Sequence, residues 1–275
     1  MRVAVVGHVE WVEFVRVDRV PVAGEIVEAG EPWSQVAGGG AVAAVQLARL
    51  AGECLFLTAL GDDELGHAAE RELLDMGVRV AAAWRSEPQR RAFVMLDANA
   101  ERTITTIGKR LEPRGDDSLP WDELRDVDAV YLTAGDGGAV QAARAATNLV
   151  STPRAMDGLA AAGVAIDVLV ASSADSGERY GAEGLDPPPA VVARTAGAAG
   201  GELQWADGRT RRWEAAPLPG PAADAYGSGD SFAAGVTYGL GSGLPPERAV
   251  ELGARCGAAC MTGHGPYEGQ LRSAN

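Results

Sequence analysis

The residues best placed for chemistry lie in Asp224-Ala225-Tyr226-Gly227-Ser228-Gly229-Asp230-Ser231-Phe232-Ala233-Ala234-Gly235. Gly227 and Gly229 free the backbone to turn tightly just before a helix. The first N–H groups of that helix have no intrahelical partner. With the helix dipole they form a site for a phosphate. A carboxylate beside such a site is repelled by it, so Asp230 needs a reason to be there. Proton abstraction from a hydroxyl that attacks the phosphate supplies one. The plainer alternative is an acid that merely answers the dipole at a helix start. Lys109 is the only lysine in the chain. No Gly-Lys-Ser/Thr tripeptide exists, so a Walker A loop is excluded. A Schiff-base lysine would have to be Lys109, which sits among polar residues with no apolar pocket to lower its pKa.

Alternating strands and helices must position this segment. Val3 to Val6 is a short apolar run ending at Gly7, the pattern of a strand buried on both faces. Gly38-Gly39-Gly40 leads into a small-residue helix, Ala41 to Leu50, closed by Gly52. Cys54 to Leu60 reads as a strand and His67 to Met76 as an amphipathic helix. Further along come a strand at Ala129 to Leu132, a helix at Ala139 to Asn148 and a short helix at Pro153 to Ala162. Strands follow at Val168 to Ala171 and Val191 to Thr195. Glu202 to Ala206 and Thr210 to Glu214 flank Asp207-Gly208, a hairpin turn. The last two helices start near Gly229 and at Pro246, a residue suited to a first helical turn. The pattern predicts one α/β domain over 1–275, a three-layer sandwich on a mostly parallel sheet. Residues 10–36 and 91–107 read as a small accessory sheet with exposed strands, carrying Trp11, Phe14 and Val15.

Composition narrows the partners. Lys+Arg is 24 and Asp+Glu 38, a formal net charge of −14 over 275 residues. Such a chain is a poor partner for nucleic acid or an anionic membrane. No stretch approaches about 20 uninterrupted apolar residues, and the N-terminus is neither signal peptide nor anchor. Cys54, Cys256 and Cys260 have no disulfide-framework spacing, which fits a reduced, cytoplasmic setting. His264 alone does not complete a metal site with Cys256 and Cys260.

The Asp224–Gly235 segment resembles the C-terminal signature of the ribokinase-like (PfkB) carbohydrate kinase family, Asp-Thr-x-Gly-Ala-Gly-Asp-x-Phe-x-x-Gly. Other stretches fall in that family's order. Gly38-Gly39-Gly40 is similar to its Gly-Gly signature and Gly61-Asp62-Asp63-Glu64-Leu65-Gly66 to its Gly-Asp-Asp-x-x-Gly. Asp175-Ser176-Gly177-Glu178 stands where the family has Asn-x-x-Glu. Thr195-Ala196-Gly197-Ala198-Ala199-Gly200 resembles its Thr-x-Gly-x-x-Gly. The resemblance implies an ATP-dependent kinase with a β-sheet lid over a sugar or nucleoside. It makes Asp230 the base, with the Gly227, Ser228 and Gly229 N–H groups as anion hole. Asp175, Glu178, Thr195, Gly197 and Gly200 would line the nucleotide, with Glu178 holding Mg²⁺ through water. Glu10, Gly38, Gly39 and Gly40 would line the acceptor. Asp224 would border a monovalent cation such as K⁺. Separately, the apolar Trp11, Phe14 and Val15 on a segment read as exposed point to a homodimer through that sheet.

The match departs at informative places. Ribose-binding members carry Asn-x-Asp after the first strand, whereas this chain has Glu10-Trp11-Val12. The Asn that follows the Gly-Gly pair aligns with Ala43, so two polar sugar contacts are replaced by apolar side chains. A site built to hydrogen-bond hydroxyls discriminates through those groups, so ribose held in the usual way is disfavoured. Asp175 replaces an Asn and Ala225 a Thr. Two rivals remain. Gly38-x-Gly40-x-x-Ala43 loosely fits a dinucleotide fingerprint but lacks the preceding strand. A nucleotide-binding regulator without acceptor chemistry would gain nothing from Asp230.

Overall fold

Strand β1 (Val3–Val6) is wholly buried, as its unbroken Val/Ala run requires. It forms the centre of a nine-stranded sheet ordered β13-β12-β11-β10-β9-β8-β1-β4-β5. The computed structural model describes residues 1–181 and 184–273. β4 (Cys54–Gly61), β5 (Val78–Arg85), β8 (Ala129–Leu132), β9 (Asn148–Ser151), β10 (Val168–Ser172) and β11 (Val191–Thr195) all run parallel to β1. The hairpin β12 (Gly201–Trp205) and β13 (Thr210–Trp213) closes one edge antiparallel. The chain first moves from β1 towards β4 and β5, then returns to place β8 on the other side of β1. That reversal is a topological switch point, and the carboxyl ends of β1 and β8 open a crevice there.

A second sheet, ordered β3-β2-β6-β7, comprises β2 (Glu10–Arg16), β3 (Gly30–Ala37), β6 (Arg91–Leu96) and β7 (Arg102–Ile107). β2 pairs parallel with β6, and the outer strands are antiparallel to their neighbours. This is the accessory sheet expected from 10–36 and 91–107, with one correction. β7 and most of 18–35 are exposed as expected, but not all of the segment is: Val12, Phe14 and Val36 are fully buried. They alternate along their strands, so one face of the sheet joins the main core. Phe14 stacks on Trp33 at 4.8 Å between ring centroids. Exposed apolar side chains on β2, the motive for a dimer through the lid, are therefore absent at Phe14.

Helix α1 (Gly39–Ala51) is buried almost all round, which its Ala/Val composition permits. α2 (Glu64–Asp75) starts at Asp63, whose carboxylate accepts the Gly66 N–H at 2.8 Å, an N-cap. α3 (Gly137–Ala143) and α4 (Met156–Ala162) pack under β8 and β9. α5 (Ser228–Gly241) and α6 (Pro246–Cys260) approach closely. A methyl on Gly235 would lie 2.8 Å from Cys256 Sγ and from the Gly253 Cα, so both helices depend on small residues there.

The expected helix at 139–148 is shorter than its pattern: α3 ends at Ala143, and Asn148 already begins β9. β9 carries only Leu149 and Val150 as apolar residues, too short a signal to separate from a helix tail. Its pairing with β8 and β10 makes it a strand. β5 also escapes the pattern, because Ala81-Ala82-Ala83 lacks β-branched residues.

Candidate active site

Asp230 lies in the first turn of α5, at the mouth of the switch-point crevice. Gly227 precedes the helix with φ +78°, a left-handed conformation that glycine adopts at least cost. A side chain there would also meet Pro266 Cβ at 2.9 Å and Val42 Cγ1 at 3.0 Å. Ser231 donates the first helical hydrogen bond, to Gly227 O at 2.9 Å. The N–H groups before it are the unpaired donors of the helix start. A side chain at Gly229 would meet no neighbouring element within 4 Å, so this position is open to solvent. Ser228 N leans towards Ala225 O at 3.4 Å, and its hydroxyl donates to the same oxygen at 3.0 Å.

The glycines before α1 make room for the acid. A methyl on Gly39 would sit 2.8 Å from Asp230 Oδ1. Asp230 is half-buried, and loss of water around it raises its pKa to about 7, with nearby Glu178 adding repulsion. Arg154 and Arg102 oppose that rise. The carboxyl thus titrates near neutrality, where a general base is most effective.

On the acceptor side, Glu10 opens β2 and is buried against Gly38, whose added methyl would lie 3.0 Å from Glu10 N. Burial raises the Glu10 pKa, and Arg90, Arg154 and Arg110 pull against it. Arg90 Nε lies 2.9 Å from Glu10 Oε1. His8 lies in the short link between β1 and β2, buried, with Nε2 4.0 Å from Glu10 Oε1 and Nδ1 3.5 Å from Thr133 Oγ1. Burial pushes the His8 pKa down to about 3, with Arg110, Arg90 and Arg154 reinforcing the effect. Val12 and Ala43 are fully buried in the core and offer no polar group.

On the nucleotide side, Asp175 and Glu178 flank a single turn after β10 and grip one guanidinium. Arg154 Nη2 is 2.5 Å from Asp175 Oδ2, and Nε is 2.7 Å from Glu178 Oε1. Thr195 ends β11, and its hydroxyl donates to Ala171 O at 3.3 Å. Gly197 and Gly200 follow with φ +55° and +78°. A side chain on Gly200 would strike Trp213 O at 2.1 Å. Asp224 is buried; Oδ1 accepts the Tyr226 N–H at 2.7 Å, and among the described residues Oδ2 has no hydrogen-bond partner. Burial raises its pKa. An orphaned, buried carboxylate oxygen suits a monovalent cation.

The structure therefore brings Glu10, Gly38, Gly39, Gly40 and Asp230 to one crevice, and Asp175 and Glu178 join them through Arg154. Thr195, Gly197 and Gly200 stand at the neighbouring strand end. Sequence reasoning placed His8 after the first strand, within reach of substrate, but missed Arg90, Arg102, Arg110 and Arg154. Arg102 opens β7 and the others lie in separate connections; none carries a motif, so only their nearness in space marks them.

The family model described as pfkB family carbohydrate kinase matches residues 1–173 and 189–272. An ATP-dependent ribose-1-phosphate kinase of Halopiger xanaduensis is 28% identical over 280 residues, covering 94% of this chain and 91% of that protein. Among solved structures, Arabidopsis thaliana ribokinase complexed with ribose and ATP superposes with a TM-score of 0.77 at 21% identity, covering 98% and 96% of the two chains. Ribokinase from Thermotoga maritima does so with 0.76 at 20% identity, covering 99% and 96%.

Proposed function

Because the chain belongs to the pfkB family of carbohydrate kinases, we propose that it moves the γ-phosphoryl group of ATP to a hydroxyl of a sugar that already carries a phosphate. One observation carries the choice of acceptor: beside the buried Glu10 stand Arg90, whose Nε is 2.9 Å from Glu10 Oε1, and Arg110, whose guanidinium donates to Arg154 O at 3.1 Å, and both act by charge on Glu10 and His8. A neutral sugar is held by polar side chains that hydrogen-bond its hydroxyls, and the two positions that would supply them are Val12 and Ala43. Guanidinium forks match a phosphate ester. The Halopiger relative, named for a sugar phosphate, supports the same reading.

Asp230 takes the proton of the attacking hydroxyl. The N–H groups at 227–230 receive the transferred phosphoryl group, whose charge they stabilise without reorganising. Thr195, Gly197 and Gly200 line the nucleotide. Mg²⁺, when bound, neutralises charge on the phosphates, with Glu178 the residue to hold it through water and Asp175 beside it. Both carboxylates are already oriented by Arg154, which fits such a role. No described helix is long and apolar enough to cross a membrane. Cys54, Cys256 and Cys260 are free and buried, which supports a reducing, cytoplasmic setting.

The test is ADP release from Mg·ATP with ribose 1-phosphate, ribose 5-phosphate, ribose and adenosine. A sugar phosphate is expected to give the highest kcat/KM. Arg110→Gln should lower that value by about thirtyfold, the worth of a charge-assisted hydrogen bond of ~2 kcal/mol, and leave free ribose unaffected. A preference for ribose or adenosine overturns the anionic acceptor. If nothing stimulates turnover while ATP still raises Tm, the protein is a nucleotide-binding regulator. Running the assay in K⁺ and in choline tests Asp224. Activation by K⁺ that disappears in Asp224→Asn is expected, and equal rates in both salts end the K⁺ proposal.

A further inference from the structure

Strand β7 is exposed along its whole length, yet one of its residues turns back into the site. Arg102 Nη1 donates to Ala225 O at 2.8 Å, two residues before Gly227. The turn that leads into β7 touches the same residue from the other side: Ala225 N donates to Ala100 O at 3.2 Å. Ala100 holds φ +62°, a left-handed conformation that costs an alanine of order 1 kcal/mol or more. A third contact comes from β2, where Phe14 meets the Tyr226 ring edge-on at 5.1 Å. The accessory sheet thus clasps residues 225–226 through a carbonyl, an N–H and a ring. At Ala225 a Thr would supply a hydroxyl, and this chain has none. The Ala225 carbonyl is instead shared by Arg102, the Ser228 hydroxyl and, more distantly, the Ser228 N–H.

We infer that Arg102 is a positioning residue for the anion hole: by holding the Ala225 carbonyl it sets the backbone of 227–229 for the transferred phosphoryl group. The inference rests on the reading of 227–230 as an anion hole, and it adds that the accessory sheet holds that hole in place. Arg102 also faces Asp230, together with Glu178, Arg154 and Glu10. It opposes the burial that raises the Asp230 pKa, so its removal leaves the base harder to ionise.

Arg102→Ala and Arg102→Lys test this in the full-length protein, with Arg209→Ala, an exposed arginine of the β12–β13 turn, as control. Arg102→Ala should lower kcat about thirtyfold, the worth of one charge-assisted hydrogen bond, with KM for ATP and acceptor unchanged. The acid limb of the kcat profile should move to higher pH. Arg102→Lys, which keeps the charge and one donor, should recover most of both. Amide hydrogen exchange at 225–229, measured without substrates, should quicken in Arg102→Ala and stay unchanged in Arg209→Ala. Wild-type exchange at 225–229 in Arg102→Ala overturns the inference, as does a loss confined to KM. A wild-type enzyme that phosphorylates no sugar overturns the proposed function instead, and the exchange experiment still decides the role of Arg102.

Discussion

Replacing Asp230 with Asn should lower kcat by about 10³-fold or more, the upper part of the range for a lost general base, and make the protein more stable at pH 8. Both follow from one carboxyl. Its pKa stands near 7 because burial, and then Glu178, disfavour the charged form. In the wild type, kcat should therefore fall as pH drops through about 7, where Asp230 gains its proton. The stability effect has the opposite sense. The folded chain holds a proton on Asp230 at a pH where the unfolded chain has already lost it. Stability therefore declines as pH rises from about 4 to 7. The pKa difference corresponds to ~4 kcal/mol at most, about half of that once partial access of water is allowed for. Asn removes the term. Calorimetry should show Tm raised by about 5 °C at pH 8 and no gain near pH 4. A variant with wild-type kcat removes Asp230 as the base; one with an unchanged Tm at pH 8 shows that the site accepts the charge without cost.

Gly39→Ala should cost about 100-fold in kcat while the protein keeps its fold, and Gly40→Ala should lose the fold itself. The new methyl at Gly39 arrives 2.8 Å from Asp230 Oδ1. The end of a side chain can swing away, so the main loss is the alignment of the base, for which a displacement of about 1 Å costs on the order of 10². At Gly40 the methyl meets His8 O at 2.6 Å and His8 N at 2.9 Å. Those are backbone atoms at the end of the central strand, and they have nowhere to go. Thermal melts and steady-state kinetics on the two variants separate the outcomes. A fully active Gly39→Ala shows that the carboxylate works from another position.

Much of this was legible from residue order alone. The switch from short apolar runs to helical periodicity gave the alternation of strands and helices, and Gly227-Ser228-Gly229-Asp230 stood out as a glycine turn carrying an acid into a helix start. Both are local properties: backbone freedom at a glycine, unpaired N–H groups at a helix start, and apolar spacing are written within a few residues. Even the departure at Val12 and Ala43, which argues against ribose held in the usual way, was visible before any coordinates.

What the acceptor is instead depended on the fold. Arg90, Arg110 and Arg154 are separated by 20 to 64 positions in the chain, and each lies in a connection with no motif of its own. Strand order alone, with β8 returning beside β1, carries those connections to one crevice. β9 became a strand only through its neighbours, and Phe14, read as exposed, is buried because the accessory sheet lays one face on the core. Arg102 shows the same dependence, sitting on an otherwise solvated strand whose single long side chain reaches Ala225 O. The sequence determined the fold class and the glycine turn that sets an acid at a helix start, since short-range backbone and side-chain chemistry suffices for those. The tertiary structure decided which arginines stand near Glu10 and the clasp of the accessory sheet on residues 225–226. Coulombic and hydrogen-bond interactions act over a few ångströms of space, and chain separation does not report that distance.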